Sequence, residues 1–212
     1  MNLKCTACGL ANFQNAGSCS RCGRPLGAAG PGMARTIAKR LAILISVCVA
    51  AILGFYVSLL FSADPLTMAE HQTVESSIGV LESRGFIDEA FLLRHVAAFR
   101  SNDNWLNASV EKENAYAATN FPVEIVTIYP DFFALPADDV ERAAILLHEA
   151  KHLQGKDEHD AYEFVWKNRS RLGWTAENYR DSEVWQSVRR QTREYLPSMF
   201  ICDFNDFGDC TQ

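Results

Sequence analysis

The chain has 212 residues, of which 48% are hydrophobic and 22% charged, and its formal net charge is −6. This length allows one or two globular domains beside a small module. The acidic balance excludes a nucleic-acid-binding protein that works through a general basic field, so we expect no nucleic-acid partner.

The first segment, residues 1–26, contains two Cys-x-x-Cys pairs. Each pair can present two thiolates from a tight knuckle turn, and two pairs complete the tetrahedral shell that a structural zinc ion prefers. The predicted ligands are Cys5, Cys8, Cys19 and Cys22. The segment resembles the zinc ribbons at the N-termini of many prokaryotic proteins, which implies a contact with a protein partner. A closed four-cysteine site leaves no coordination position open, so we expect structural zinc and no catalysis here.

The second segment is a linker, residues 27–40, followed by an uncharged and mostly apolar run over residues 41–61. As a helix this run would be about 30 Å long, which is enough to cross a bilayer. A secretory signal peptide is disfavoured because the cysteine-rich segment precedes the run. A buried core helix is disfavoured because the whole run lacks charge. We therefore predict one transmembrane helix over residues 41–61.

The charges that flank the apolar run predict its orientation. Three basic residues lie between positions 35 and 40, whereas the acidic Asp64 and Glu70 follow the run. The positive-inside rule then leaves the zinc ribbon in the cytoplasm. Residues 64–212 become an exported domain, periplasmic or extracellular, on a single-pass protein of the cytoplasmic membrane.

The two cysteines near the C-terminus agree with this topology. Cys202 and Cys210 enclose a short loop rich in Asp and Gly. Disulfides form in oxidising compartments and are rare in the cytoplasm. We therefore predict a Cys202–Cys210 disulfide outside, while the metal-binding thiols stay reduced inside.

The exported domain is predicted to be α+β, mostly helical with a small sheet. Its expected elements are helices over 65–84 and 88–100, a strand over 121–129, and helices over 140–154, 157–171 and 177–193. Asp88 is expected to cap the second helix, with Phe99 on its buried face. Asp138 and Glu141 form a helix-start signature, and Gly155 is expected to end that helix.

The motif His148-Glu149-Ala150-Lys151-His152 carries the chemistry. Residues at i and i+4 lie on one helical face, so both imidazoles can reach one catalytic zinc ion. Glu149 emerges beside them, where it can take a proton from the attacking water and return it to a leaving amine. The predicted strand before this helix suits a site that binds extended peptides by strand addition.

These residues resemble the zincin metallopeptidases with their HExxH motif. The string from His148 to Glu158 looks like the metzincin pattern HExxHxxGxxH, with a glutamate in the position of the third histidine. Glu158 and Ala161 also resemble the ExxA pattern of gluzincins. Either resemblance implies zinc ligands at His148, His152 and Glu158, and a general base at Glu149. The chain departs from metzincins in having no assignable Met-turn, since Met199 is the one downstream candidate.

Other residues near the motif keep alternatives open. His159, Asp160 and Glu163 are competing candidates for the third ligand. The resemblance also implies a side chain that stabilises the oxyanion, and Tyr162 and Tyr129 are the candidates for that role.

The sequence therefore favours a membrane-anchored zinc metallopeptidase that hydrolyses peptide bonds in a peptide or protein substrate. The alternative is a non-catalytic membrane-anchored zinc-binding interaction or scaffold protein. Glu149 favours the enzyme, because a purely structural site has no use for a base beside two ligands. A sensor whose ribbon relays the state of the exported domain is a third hypothesis.

Overall fold

The structure is a computed structural model that describes residues 3–26, 32–106, 108, 116–202 and 209–211. The chain divides into two compact units, Met1–Gly54 and Phe55–Gln212. The described elements are β1 (Leu3–Lys4), β2 (Ala11–Asn12), α1 (Gly32–Phe61), α2 (Met68–Ser83), α3 (Ile87–His95), β3 (Ala98–Arg100), β4 (Ala117–Asn120), β5 (Ile125–Ile128), α4 (Pro130–Ala134), α5 (Asp139–Leu153), α6 (Glu158–Leu172), α7 (Ala176–Tyr179), α8 (Glu183–Tyr195) and a 3₁₀ turn (Pro197–Phe200). The chain is thus mostly helical α+β with small sheets, as predicted.

The first unit begins with an antiparallel pair, β1 and β2, in which Leu3 lies opposite Asn12. Two knuckle turns follow the same backbone pattern. The amide of Gly9 donates to the carbonyl of Cys5, and the amide of Gly23 donates to the carbonyl of Cys19. Both glycines have positive φ, 74° and 71°, a conformation that a residue with a Cβ rarely adopts.

Helix α1 is long, apolar and exposed. The part of α1 that is apolar enough to cross a membrane covers Ala34–Phe61, and only 6% of its most apolar stretch is buried. A soluble protein would bury the apolar face of its core helix, so this exposure argues against a core helix. The helix begins at Gly32, so residues 32–40 are helical instead of forming a linker as expected. Residues 27–31 lie outside the described part of the chain.

The second unit packs helices α2, α3, α5, α6 and α8 with a three-stranded sheet of order β3-β5-β4. Strand β3 runs parallel to β5, and β4 runs antiparallel to it. All four residues of the central strand β5 are buried. Three buried indoles, Trp166, Trp174 and Trp185, contact one another in the core.

The structure corrects three predicted elements. Helix α3 ends at His95, and Phe99 lies in β3, because residues 98–100 pair with β5. Asp88 lies inside the first turn of α3, and Phe86 occupies the cap position. The predicted strand over 121–129 is a strand only from Ile125, and the residues before it form the turn of the β4–β5 hairpin. Strand β4 lies between the predicted helix over 88–100 and the predicted strand over 121–129, where no helix or strand was expected.

Candidate metal centre

Helix α5 carries the His-Glu-Ala-Lys-His motif and begins as predicted. The side chain of Asp138 accepts hydrogen bonds from the amides of Val140 and Glu141. The carboxylate of Glu141 also accepts a hydrogen bond from the amide of Ala137, just before the helix, so the chain that enters α5 is fixed to its first turn. The residues between Ala143 and Leu147 are buried, which holds the helix firmly in the core.

The end of α5 turns the chain back toward the two histidines. The amide of Gly155 donates to the carbonyl of His152, and the amide of Lys156 donates to that of Lys151. This pair of bonds is a Schellman motif, which needs the positive φ of 73° at Gly155. Asp157 then caps α6 by accepting the amide of Asp160, so Glu158 is the first residue of the next helix.

His148, His152 and Glu158 converge on one point. The two Nε2 atoms lie 3.0 Å apart. Oε2 of Glu158 lies 3.1 Å from Nε2 of His148, and the other carboxylate oxygen, Oε1, lies 3.4 Å from Nε2 of His152. The histidine side chains are 14% and 16% exposed and that of Glu158 is 49% exposed, so the point of convergence is open to solvent on one side.

These distances fit a zinc ion. Ligand atoms at 2.0–2.1 Å from a tetrahedral zinc lie about 3.3–3.4 Å from one another. The observed separations of 3.0, 3.1 and 3.4 Å are close to that value. Two imidazoles and one carboxylate also form a donor set of the type found in catalytic zinc sites, which leave a fourth position for water or substrate.

The tautomer of His152 is set for metal binding. Its Nδ1 lies 2.9 Å from the carbonyl oxygen of Lys156. A carbonyl can only accept, so Nδ1 carries a proton and donates it, and Nε2 faces the other two donors. A hydrogen bond of this kind orients the ring and makes the ligating nitrogen more basic.

The pKa shifts in this group show that the three side chains interact strongly. Hydrogen bonds with His148 and His152 hold the pKa of Glu158 well below its ordinary value. Burial lowers the pKa of His152, but the hydrogen bond with Glu158 and the charge of Glu149 outweigh burial and raise that pKa to about 9.

Glu149 is buried and its carboxylate has a specific partner. The hydroxyl of Thr119, on β4, donates to Oε2 of Glu149 at 2.8 Å. This contact joins residues thirty positions apart, and nothing in the local sequence pattern points to it. Thr119 thus fixes the direction of the predicted base, and the carboxylate keeps its second oxygen for other contacts.

The two tyrosines proposed for the oxyanion have different surroundings. The ring of Tyr162 lies 4.4 Å from that of His148, and its hydroxyl donates to Gln191 on α8. Burial and the charge of Glu158 raise its pKa, so it stays protonated at neutral pH. The hydroxyl of Tyr129 donates to Asp103 at 2.6 Å. Tyr162 is therefore the tyrosine in contact with the candidate ligands.

The competing third ligands do not join the donor group. Asp160 pairs with Lys156 at 3.3 Å and lies 3.9 Å from Nδ1 of His159, in an exposed cluster. Glu163 pairs with Lys167 at 2.6 Å on the surface of α6. Met199 is buried in the core cluster and packs there, so it has no described contact with the histidines.

A buried ion pair anchors α5 next to the motif. The ammonium group of Lys151 bonds to the carboxylate of Glu89 on α3, and both side chains are almost fully buried. The same ammonium lies 3.4 Å above the ring of Phe164 on α6. Lys151 thus ties three helices together at the centre of the motif.

The four N-terminal cysteines form a second candidate group. The sulfurs of Cys5 and Cys22 are 3.6 Å apart, as are those of Cys8 and Cys19. Thiolates at 2.3 Å from a tetrahedral zinc lie about 3.8 Å from one another, so these distances fit. Backbone amides of Arg21 and Cys22 lower the pKa of Cys19 to about 6, which favours the thiolate that a metal needs.

The C-terminal tail is fastened to α6. A disulfide joins Cys202 and Cys210. Next to it, the buried carboxylate of Asp209 accepts hydrogen bonds from the guanidinium of Arg169 and from Nε1 of Trp166. The tail thereby packs against the helix whose first residue is Glu158. Residues 203–208, inside the disulfide loop, lie outside the described part of the chain.

Comparisons with known proteins assign no family to the chain. No family model matches it. Curated proteins give no match, and solved structures give none either. The described residues present three groups that could hold a metal ion: the four N-terminal cysteines, His148 with His152 and Glu158, and the exposed Asp157 with His159 and Asp160.

Proposed function

We propose that this protein is a zinc metallopeptidase anchored in the cytoplasmic membrane by α1. Zinc would be held by His148, His152 and Glu158, and a second, structural zinc by the four cysteines of the ribbon. The proposal rests above all on two imidazole nitrogens and one carboxylate group that lie within 3.0–3.4 Å of one another, beside the buried carboxylate of Glu149. The ribbon is placed in the cytoplasm, where it can contact a protein partner, and residues 64–212 outside, on the charge asymmetry around α1.

Glu149 acts as the general base in this proposal. A zinc ion in the group would polarise water and the scissile carbonyl. Glu149 takes the proton of the attacking water and returns it to the leaving amine, so that a neutral product departs. Thr119 holds one carboxylate oxygen, and the other oxygen is left to receive the proton. This use of Glu149 separates an enzyme from a scaffold.

The sheet supports a peptide substrate. Strand β4 lies at the edge of the sheet and packs against α5. The amide of Tyr129 donates to the carbonyl of Tyr116, so the backbone groups of Ala117 and Thr119 point away from β5. Among the described residues no strand pairs with that edge. An extended peptide can add to it and pass beside Glu149.

Metal analysis of the purified full-length chain tests the proposal. We expect two zinc ions per chain in the wild type, one in the ribbon and one in the His-His-Glu group. His152→Ala should retain only the ribbon zinc. Glu149→Gln should retain both ions yet lose cleavage of a peptide library, because the substitution removes the base and no ligand. A wild-type chain that holds a single zinc would refute the catalytic site.

The same experiment separates the enzyme from the alternative. If the wild type binds both ions but cleaves no peptide under conditions where the chain is folded, a non-catalytic zinc-binding scaffold is favoured. For the topology, an alkaline phosphatase fused after Gly173 should be active outside the cytoplasm. An inactive fusion, with a cytoplasmic reporter active at the same position, would reverse the orientation.

A further inference from the structure

The last turns of α1 make a tight contact with the loop that follows β3. The indole N–H of Trp105 donates to the hydroxyl of Ser58 at 3.3 Å, and its backbone amide donates to the hydroxyl of Ser62 at 3.2 Å. The ring also meets Phe55 edge to face, with centroids 5.6 Å apart. Trp105 therefore lies along the face of α1 that contains Phe55, Ser58 and Ser62.

The same loop closes the end of α1. The guanidinium of Arg100 donates to the carbonyl of Leu60 at 3.3 Å, a carbonyl that the helix itself leaves without a partner. Just beyond the helix, the amide of Asp64 donates to Asn102 at 2.6 Å, and the amide of Ser101 donates to the carbonyl of Asp64 at 2.9 Å. The loop and the helix end thus share a continuous set of bonds, with no free linker between them.

These contacts set the depth of Trp105 if α1 crosses a bilayer. Ser58 and Phe55 precede Phe61, the last residue of the helix, by three and six positions. At 1.5 Å per residue, the ring that touches them lies about 5–9 Å to the membrane side of Phe61. The helix has residues to spare for this, because it extends back to Gly32 and a span needs about 20.

The chemistry of the loop suits that depth. Trp105 is 49% exposed, and the neighbouring Leu106 and Phe61 are exposed too. Indole rings collect at membrane–water interfaces because the ring is apolar and its N–H is polar. The other three tryptophans of the chain are buried in the core of the domain. Trp105 is thus the one tryptophan that lipid can reach.

We propose that the loop of residues 101–106 dips into the outer leaflet and that Trp105 anchors the domain at the boundary between phospholipid headgroups and acyl chains. The domain is then held against the membrane surface in one orientation instead of swinging on a tether. The inference rests on the membrane-spanning role proposed for α1, and it is independent of the zinc chemistry. The occupant of this surface is phospholipid.

Fluorescence quenching in vesicles tests the anchor. The full-length chain is reconstituted into phosphatidylcholine vesicles whose acyl chains carry bromine near the headgroup, and into matched vesicles without bromine. The comparison is wild type against Trp105→Phe, which keeps an aromatic ring opposite Phe55. Because the other tryptophans are buried, we expect bromine quenching to fall about two-fold or more in the variant. Equal quenching in the two proteins would overturn the proposal.

Two further measurements distinguish a failure of the membrane span from a failure of the lipid anchor. Resistance to alkaline extraction from the vesicles reports on the span alone, so a chain that is extracted refutes the span and the anchor together. Iodide dissolved in the aqueous phase should quench the fluorescence of Trp105 less in vesicles than in the unfolded chain without detergent, where Trp105 is open to water. If Trp105 is shielded from both iodide and brominated lipid, a second protein chain covers it, and the lipid anchor is refuted while the span stands.

Discussion

The assignment of Glu158 as third zinc ligand leads to a test that needs no substrate. Glu158→Gln keeps the size of the side chain and removes its charge. The wild-type carboxylate faces both Nε2 atoms, at 3.1 and 3.4 Å, so both imidazoles lose their anionic partner in the variant. The side chain is half exposed, and the substitution should therefore leave the fold intact.

The size of the effect follows from the number of ligands. Four-ligand zinc sites in small domains have apparent binding free energies of about 10–16 kcal/mol, or about 2.5–4 kcal/mol per ligand. Loss of one ligand then weakens binding by about 10²–10³-fold. One effect opposes this loss: the hydrogen bond with Glu158 is one of the interactions that raise the pKa of His152, so a metal ion would have to displace a proton from this ring. We therefore expect the lower end, about 10²-fold.

Zinc competition against a chelator of known affinity measures this change in the full-length chain. Zinc bound by the four N-terminal cysteines would act as an internal reference, because the substitution leaves these cysteines untouched. Asp160→Asn and Glu163→Gln are matched controls, since each removes one acidic charge from the same helix outside the donor group. Wild-type affinity in Glu158→Gln, or an equal loss in Asp160→Asn, would refute the assignment of the third ligand.

Three further substitutions test contacts around the site. Thr119→Val should lower kcat about ten- to hundredfold with zinc content unchanged, because a hydrogen bond to a charged group contributes about 1.5–3 kcal/mol. Thr119→Ser keeps the hydroxyl and should recover most of the lost kcat. Similar losses of kcat in both variants would exclude a role for the hydroxyl. Glu89→Gln leaves Lys151 buried without its counter-charge and should cost about 3–5 kcal/mol in denaturant unfolding at neutral pH. Burial raises the pKa of Glu89, but the interactions with Lys151 outweigh burial and lower that pKa below its ordinary value of 4.5. The extra stability of the wild type over Glu89→Gln is therefore full above pH 4.5 and should vanish as the pH falls through the lowered pKa. A stability difference that persists in acid contradicts this reasoning. Asp209→Asn should destabilise the domain by a similar amount, about 3–5 kcal/mol, by leaving Arg169 buried and uncompensated; unchanged unfolding would show that this pair does not hold the tail.

The sequence predicted the local parts of the candidate site well. The Asp138 cap and the turn at Gly155 are encoded within a few residues of the atoms they bond, and a helix places positions i and i+4 on one face whatever surrounds it. The spacing of the N-terminal cysteines is a local signal of the same kind. For these features the chain itself supplies the geometry, so a pattern in the sequence is sufficient to predict them.

The errors fall where distant residues compete with local preference. Apolar spacing predicts a helix through Phe99, yet that segment pairs with β5 and becomes a strand. Strand β4 lacked any pattern of its own, since its residues are held by the hairpin and by α5. Local periodicity cannot report pairing partners that lie some twenty-five residues away in the chain.

At the motif of residues 148–152, what the sequence determined can be separated from what the tertiary structure determined. The sequence alone determined which residue types stand at ligand spacing, where helix α5 begins and ends, and which run is apolar enough to cross a membrane. Only the tertiary structure decided that Glu158 meets both histidines, that Thr119 holds Glu149, and that Trp105 lies against the end of α1. Each of these contacts joins separate elements of the chain. Their geometry depends on how the whole core packs, and packing is a property that no short stretch of sequence contains.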